Sequence, residues 1–358
     1  MAAGHPPSVH WGVVDLIAAG RLASGRNGSS RCEAEVGVKV AAIATALLAL
    51  AGALGSAPAA VAQTTAAQTT AAQTTAPPQR GHYRTIAVPH ATQTMPEDIN
   101  DLGLIVGCYQ PASGPTRGFT LRRGRFTTIT DPAAGHRSQL RGCVLGANSR
   151  GVLAGYYISG SGVEHGFVDH GGHFTAVNVP GAGHRSSEGT VPVDINDSGE
   201  VAGYYFTSHH GERGFVLRHG RFTTVRYPGS RGTWASGIAD NGTVAGGYTS
   251  RRGVLHGFLE SGGVFSSIEV PGAAAARGKG TAPECISQHT GLVVGTYWRS
   301  DSSRPDGFSY LGGVYGTLSD PAATEGTAPQ CGNDLGRIVG VYYTGGGVQH
   351  GFEFTPRG

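Results

Sequence analysis

One phrase recurs six times along this chain and constrains its fold more than any other feature. It is a small turn ending in Gly, an aliphatic pair, a second Gly and a Tyr-bearing strand. The copies run Asn100 to Tyr109, Asn148 to Tyr157, Asn196 to Tyr205, Ala239 to Tyr248, Gln288 to Tyr297 and Asn333 to Tyr342. Their second glycines stand at 107, 155, 203, 246, 295 and 340, at intervals of 48, 48, 43, 49 and 45 residues. A period of this length, built only from short strand-like segments, marks a repeat architecture.

Each unit reads as four strands. In the third copy, Val191 to Ile195 is a largely apolar run, and Asn196-Asp-Ser-Gly199 has the chemistry of a type I turn. Glu200 to Phe206 is rich in strand formers. A polar loop through His209 and His210 leads to Arg213-Gly-Phe-Val-Leu217, and Arg221 to Tyr227 is a fourth strand ended by Pro228-Gly229. Pro cannot donate to a ladder, so it is expected at strand ends. No window in the repeats keeps a helical period. The Gly after the aliphatic pair suggests a close approach, with the Phe of the following Gly-Phe pair as the expected neighbour.

Four strands in a unit of this length match a β-propeller blade. The region opens on a fourth-strand sequence, His82 to Pro89, and finishes on a third-strand sequence, His350 to Phe354. The strand missing from the last unit therefore stands at the start. The fold class expected is all-β: a six-bladed propeller over 82–358, closed by an N-terminal strand that completes the last blade. A linear β-solenoid is the rival, but it needs capping units.

These units resemble the HAF repeats of extracellular bacterial proteins, whose pattern is an Ile-Val-Gly-Tyr-Tyr strand, His-Gly-Phe, and a Phe-Thr-Thr strand ending in Pro-Gly. His-Gly-Phe stands at 165–167, 256–258 and 350–352, and becomes Arg117-Gly-Phe, Arg213-Gly-Phe and Asp306-Gly-Phe elsewhere. The resemblance covers residues 82–354 and implies export; it carries no catalytic residues. The recurrent His is expected to be structural, because its copies sit too far apart around a ring to share an ion at about 2.1 Å.

Sixty Gly and nineteen Pro fall largely at fixed points of the period, as in a turn-dense β protein. The formal net charge of +3 is small, and nucleic acid is not an expected partner. Upstream, Val36 to Leu54 places Lys39 before an apolar core (about 40–55), and Ala60-Val-Ala62 offers a cleavage site. Residues 1–62 thus read as a leader with a signal peptide, with a natural start expected near Val36; an uncleaved anchor is the alternative. Residues 63–81 read as a low-complexity Ala/Gln/Thr/Pro tether with no reason to fold. The expected product is secreted or at the cell surface, monomeric, without cofactor or metal, and off the membrane once cleaved.

Four cysteines follow the leader: Cys108, Cys143, Cys285 and Cys331. Export permits disulfides. Cys285 and Cys331 hold nearly the same repeat position in adjacent units, while Cys108 and Cys143 are expected near one rim. The pairs expected are Cys285–Cys331 and Cys108–Cys143.

No catalytic motif stands out. Asp194-x-Asn-x-Ser-Gly199 opens like a calcium loop, but Tyr205 stands where a bidentate Glu is required, and Asp98 leads likewise to Tyr109. By counting, Asp98 and Asp194 share a repeat position with Gly146, Gly237, Ile286 and Cys331. The loops expected on one rim carry His136, Arg137, His184, Arg185, His209, His210, Arg231, Arg251 and Arg252, with Arg277 and Lys279, among several acids. This suggests a cationic rim for an acidic polysaccharide or envelope polymer, and a non-catalytic binding or scaffold role. The alternative is a secreted hydrolase or lyase acting on a carbohydrate, which a cluster of acids or His at one ring mouth would favour.

Overall fold

The computed structural model describes residues 74–75, 80–129, 142–208 and 211–357. The leader and His136, Arg137, His209 and His210 lie outside these. Every regular element among the described residues is a strand. Six sheet units follow in order, each an antiparallel succession. Unit 1 is Ala91–Ile99, Ile105–Pro111, Arg117–Arg122 and Arg125–Ile129. Unit 2 is Gly142–Ala147, Leu153–Ile158, Glu164–Asp169 and Phe174–Val177. Unit 3 is Gly189–Ile195, Val201–Thr207, Gly211–Arg218 and Arg221–Val225, and a single parallel pairing, Gly189 with Glu164, joins it to unit 2. Unit 4 is Gly232–Ile238, Val244–Thr249, Leu255–Ser261 and Val264–Ile268. Unit 5 is Thr281–Ile286, Val293–Tyr297, Asp306–Leu311 and Val314–Leu318. Unit 6 takes three strands from the tail, Thr327–Gly332, Ile338–Thr344 and Val348–Pro356, and its fourth, Gly81–Ile86, from the start.

That borrowed strand is held at several points. Ile86 is buried, and Tyr83 packs against Phe352 and Phe354 with ring centroids 5.5 and 5.0 Å apart. Arg84 joins Arg337 on the buried carboxylate of Glu353. Burial pushes that carboxyl up, but the two guanidinium groups outweigh it and hold it below its usual range.

Packing between units uses the Gly of each Gly-Phe pair. A Cβ on Gly166, Gly257, Gly307 or Gly351 would strike the ring of Pro192, Pro283, Pro329 or Pro96 on the next unit's first strand. Gly118 meets Val144 and Gly214 meets Ala235 in the same way. The contacts therefore run from each unit to its successor and from the sixth back to the first. The expectation that Pro stands only at strand ends fails here. Pro192 and its counterparts sit inside first strands, next to a register shift that all six units share. A first strand pairs on one side only in its unit, so a missing N–H there costs no ladder bond.

The repeated second Gly is also tighter than expected. A Cβ added to it would strike a first-strand carbonyl, that of Val191 in the case of Gly203, before the Phe215 ring, which such a Cβ would meet at 2.9 Å. The reading of residues 63–81 as an unfolded tether is corrected in part: Thr74–Thr75 pairs in parallel with Val314 and Tyr315, extending the outer edge of unit 5. Both expected disulfides are formed, with Cα–Cα distances of 5.0 Å for Cys108–Cys143 and 5.1 Å for Cys285–Cys331, and each ties neighbouring units.

Candidate functional site

Three polar regions stand out: the first-turn face, the interior where the first strands meet, and the loop rim at the other end. On the first-turn face, the Asn that opens a turn both closes it and reaches the next unit. Asn100 Oδ1 accepts from Leu104 N, and its Nδ2 donates to Asn148 O at 2.8 Å. Asn148 donates to Asn196 O, Asn196 to Ala239 O, and Asn333 to Asn100 O across 233 positions. The following Asp accepts from the preceding turn's backbone: Ser149 N to Asp197, Asp197 N to Asp240, and Asp334 N to Asp101.

His289 lies among these aspartates. Its Nδ1 stands 2.7 Å from Asp334 and 3.7 Å from Asp101, and its Nε2 stands 3.2 Å from Asp240. The hydrogen bond to Asp334 and the surrounding carboxylates raise its pKa, favouring imidazolium. Sequence reading missed this residue. Ser287, rather than Gln288, takes the turn-opening place: Ser287 N donates to Leu292 O, where Asn333 N donates to Arg337 O. The unit 5 turn is therefore one residue longer, and the insertion presents His289. The 49-residue interval before it was the available signal.

Behind this mouth the first strands converge. The shared register shift turns one bulged residue per unit inward: Glu97, Leu145, Val193, Ser236, Glu284 and Gln330. These line a cavity of about 10 Å³ together with Asp98, Asp194 and the Cys285–Cys331 bridge. Because the unit 5 turn is one residue longer, Cys285, not Ile286, pairs with Val294, so Cys285 is the counterpart of Asp98 and Asp194. Asp98 accepts from Ile99 N and Ala147 N, and Asp194 from Ile195 N and Ile238 N, each carboxylate spanning two units. The calcium-loop resemblance thus resolves into inter-unit capping. Burial pushes Glu97 and Asp98 up to about 8 and Asp194 up to about 6, with Asp194 adding to the shift at Asp98.

At the opposite rim the second-to-third-strand loop of unit 4 holds three loops together. Arg231 N donates to Thr249 O, Gly278 N to Gly253 O, and Leu255 N to Lys279 O. The Arg277 side chain lies against Gly253, whose φ of +83° no side chain adopts readily. Arg231, Arg251, Arg252 and Arg277 are exposed. None of the four enters an ion pair among the described residues. His184 and Arg185 sit apart, between units 2 and 3, where Arg185 N donates to Glu188. Of the expected rim residues that are described, Arg231, Arg251 and Arg252 fall on the loops of unit 4, and His184 and Arg185 between units 2 and 3. The recurrent His stacks on the paired second-strand Tyr: His165 on Tyr157, His256 on Tyr248 and His350 on Tyr342.

No family model and no curated protein matches the chain. Among solved structures it is similar to a protein of unknown function from Dyadobacter fermentans, at 8% identity over 78% of this chain and 99% of that one, with a TM-score of 0.50. It is also similar to AofleA from Arthrobotrys oligospora, at 12% identity over 77% and 86%, TM-score 0.48. A fucose-recognising lectin of six-bladed β-propeller fold from Aleuria aurantia matches at 14% identity over 76% and 98%, TM-score 0.43. The first shares this chain's fold; the two fungal proteins are more distant in shape, and what they bind says nothing of this chain. No helix among the described residues is long and apolar enough to cross a membrane.

Proposed function

We propose that the chain is an exported six-bladed β-propeller of the HAF-repeat type, and that it binds an acidic polysaccharide or envelope polymer at its loop rim. The observation that carries this reading is the group Arg231, Arg251, Arg252 and Arg277, gathered on three mutually bonded loops and left without ion pairs among the described residues. Guanidinium forks suit carboxylate and phosphate, and loops already tied together lose little freedom on binding. Two disulfides and a leader of signal-peptide type support export.

The test is binding of the 82–358 chain to acidic and neutral polysaccharides over a salt series. Acidic polymers should bind, and affinity should fall as salt rises. Reversal of Arg251 and Arg252 to Glu should weaken binding at least about tenfold. Equal binding of neutral polymers, or indifference to salt, overturns the reading.

A second reading, a hydrolase or lyase acting on carbohydrate, is favoured by His289 with Asp101, Asp240 and Asp334 at the first-turn mouth. All three aspartates already accept backbone N–H groups, which ranks it behind the rim. Glycan turnover that Asp240→Asn abolishes would establish it.

A further inference from the structure

We propose that the first-turn end of units 5, 6 and 1 is a docking face that rests on an anionic lipid surface. In each unit the first turn and the turn between third and fourth strands stand at one end of the sheet, and the loop rim stands at the other. Among the described residues six large apolar side chains are exposed: Leu102, Val264, Leu311, Val314, Leu335 and Val348. Only Val348 belongs to the loop rim. Leu335 and Leu102, 64% and 65% exposed, occupy the first turns of units 6 and 1, which the bond from Asp334 N to Asp101 makes neighbours. Leu311 and Val314 flank the outer turn of unit 5, and Val264 borders that of unit 4.

Unpaired cations stand among these side chains. Arg122, Arg123 and Arg125 form the outer turn of unit 1. Arg80 and Arg357 hold the corresponding place in unit 6, where Arg357 N donates to Arg80 O at 3.0 Å. All five are exposed, and none enters an ion pair among the described residues. The carboxylates at this end of the three units are already engaged. Asp101 and Asp334 accept backbone N–H groups beside His289, and Glu353 holds Arg84 and Arg337. Aliphatic side chains interleaved with free guanidinium groups suit a bilayer surface: the former enter the acyl boundary while the latter meet lipid phosphates. A soluble polyanion would use the arginines and leave the leucines in water. The course of the chain selects the membrane as well. Thr74–Thr75 runs parallel to Val314 and Tyr315, so the chain arrives from the first-turn end, and Arg80–Gly81 enters unit 6 at that same end. The apolar run of the leader is therefore attached on the side where the leucines and arginines are exposed. The loop rim then points away from the bilayer, and cleavage after Ala62 leaves the propeller on the surface rather than free of it.

The test is vesicle co-sedimentation of the chain from Gln63, which holds every described element. One set of vesicles is phosphatidylglycerol and phosphatidylcholine in equal parts, the other phosphatidylcholine alone. The mixed vesicles should bind at least about tenfold more tightly and release the protein as salt rises. Arg123→Glu/Arg125→Glu should weaken that binding at least about tenfold, since each Arg near an anionic surface is worth about fivefold. Leu102→Ser/Leu335→Ser alters only exposed side chains, should melt as the wild type does, and should weaken vesicle binding at least about fivefold while leaving binding of a soluble acidic polysaccharide unchanged. Arg251→Glu/Arg252→Glu, at the opposite rim, should bind vesicles as the wild type does, which separates this face from the rim. Absence of vesicle binding, equal binding to phosphatidylcholine alone, unchanged binding in either face variant, or a loss shared by the rim variant would each overturn the proposal.

Discussion

Gly203 is enclosed on two sides at once, by the Val191 carbonyl and by the Phe215 ring. A Val there has no direction in which to grow, because the carbonyl belongs to a strand fixed by its own ladder. Gly203→Val should therefore lower stability by about 3 kcal/mol, the upper end of overpacking costs, read from chemical denaturation. An unchanged midpoint would mean that the strand pair is looser than described. The sequence shows this Gly six times and points to the Phe, but it hides the carbonyl, since a backbone contact leaves no residue-type signature. The other repeated Gly, in Gly-Phe, was harder still: its partner is a Pro, Val or Ala one unit further along, a correlation only the fold reveals. Cysteine pairing was legible because the repeat frame assigns each Cys a strand and a neighbour.

The first strand is the element on which the interior depends. Its bulge, shared by all six units, sends one residue per unit inward, and in units 1 and 3 it places the next, Asp98 or Asp194, as a cap to the adjoining unit. All six units share the bulge, so counting back from the glycines holds except in unit 5, where the turn is one residue longer and Ile286 was aligned where Cys285 stands. The third strands carry a different burden. Glu164 is buried, and burial pushes its carboxyl up to about 7. The sign follows from linkage: the folded state holds this proton more tightly than the unfolded chain. Glu164 therefore contributes most below its unfolded pKa of about 4.3, and its contribution falls as pH rises towards about 7. Stability measured by urea denaturation should decline across that window, and Glu164→Gln should flatten the decline. A wild-type profile already flat there would show that the carboxyl is solvated.

At the scale of the molecule, repeat number, strand count and the shared last unit were legible, because they depend on hydrophobic patterning and on which strand type stands at each end. Two features were not. The docking of Thr74–Thr75 on the unit 5 edge depends on an open strand rather than on anything in the Ala-Gln-Thr sequence. The gathering of rim arginines around unit 4 depends on which loops bond to one another. Rim and interior alike presuppose that unit 6 meets unit 1. The turns report this directly, since Asp334 N donates to Asp101 Oδ1 at 2.9 Å across 233 positions. The decisive measurement is mass mapping of Asp101→Cys/Asp334→Cys after mild oxidation of the monomer. A closed ring predicts an intramolecular 101–334 bridge beside both native disulfides, whereas free thiols at both positions, or bridges only between molecules, would contradict it.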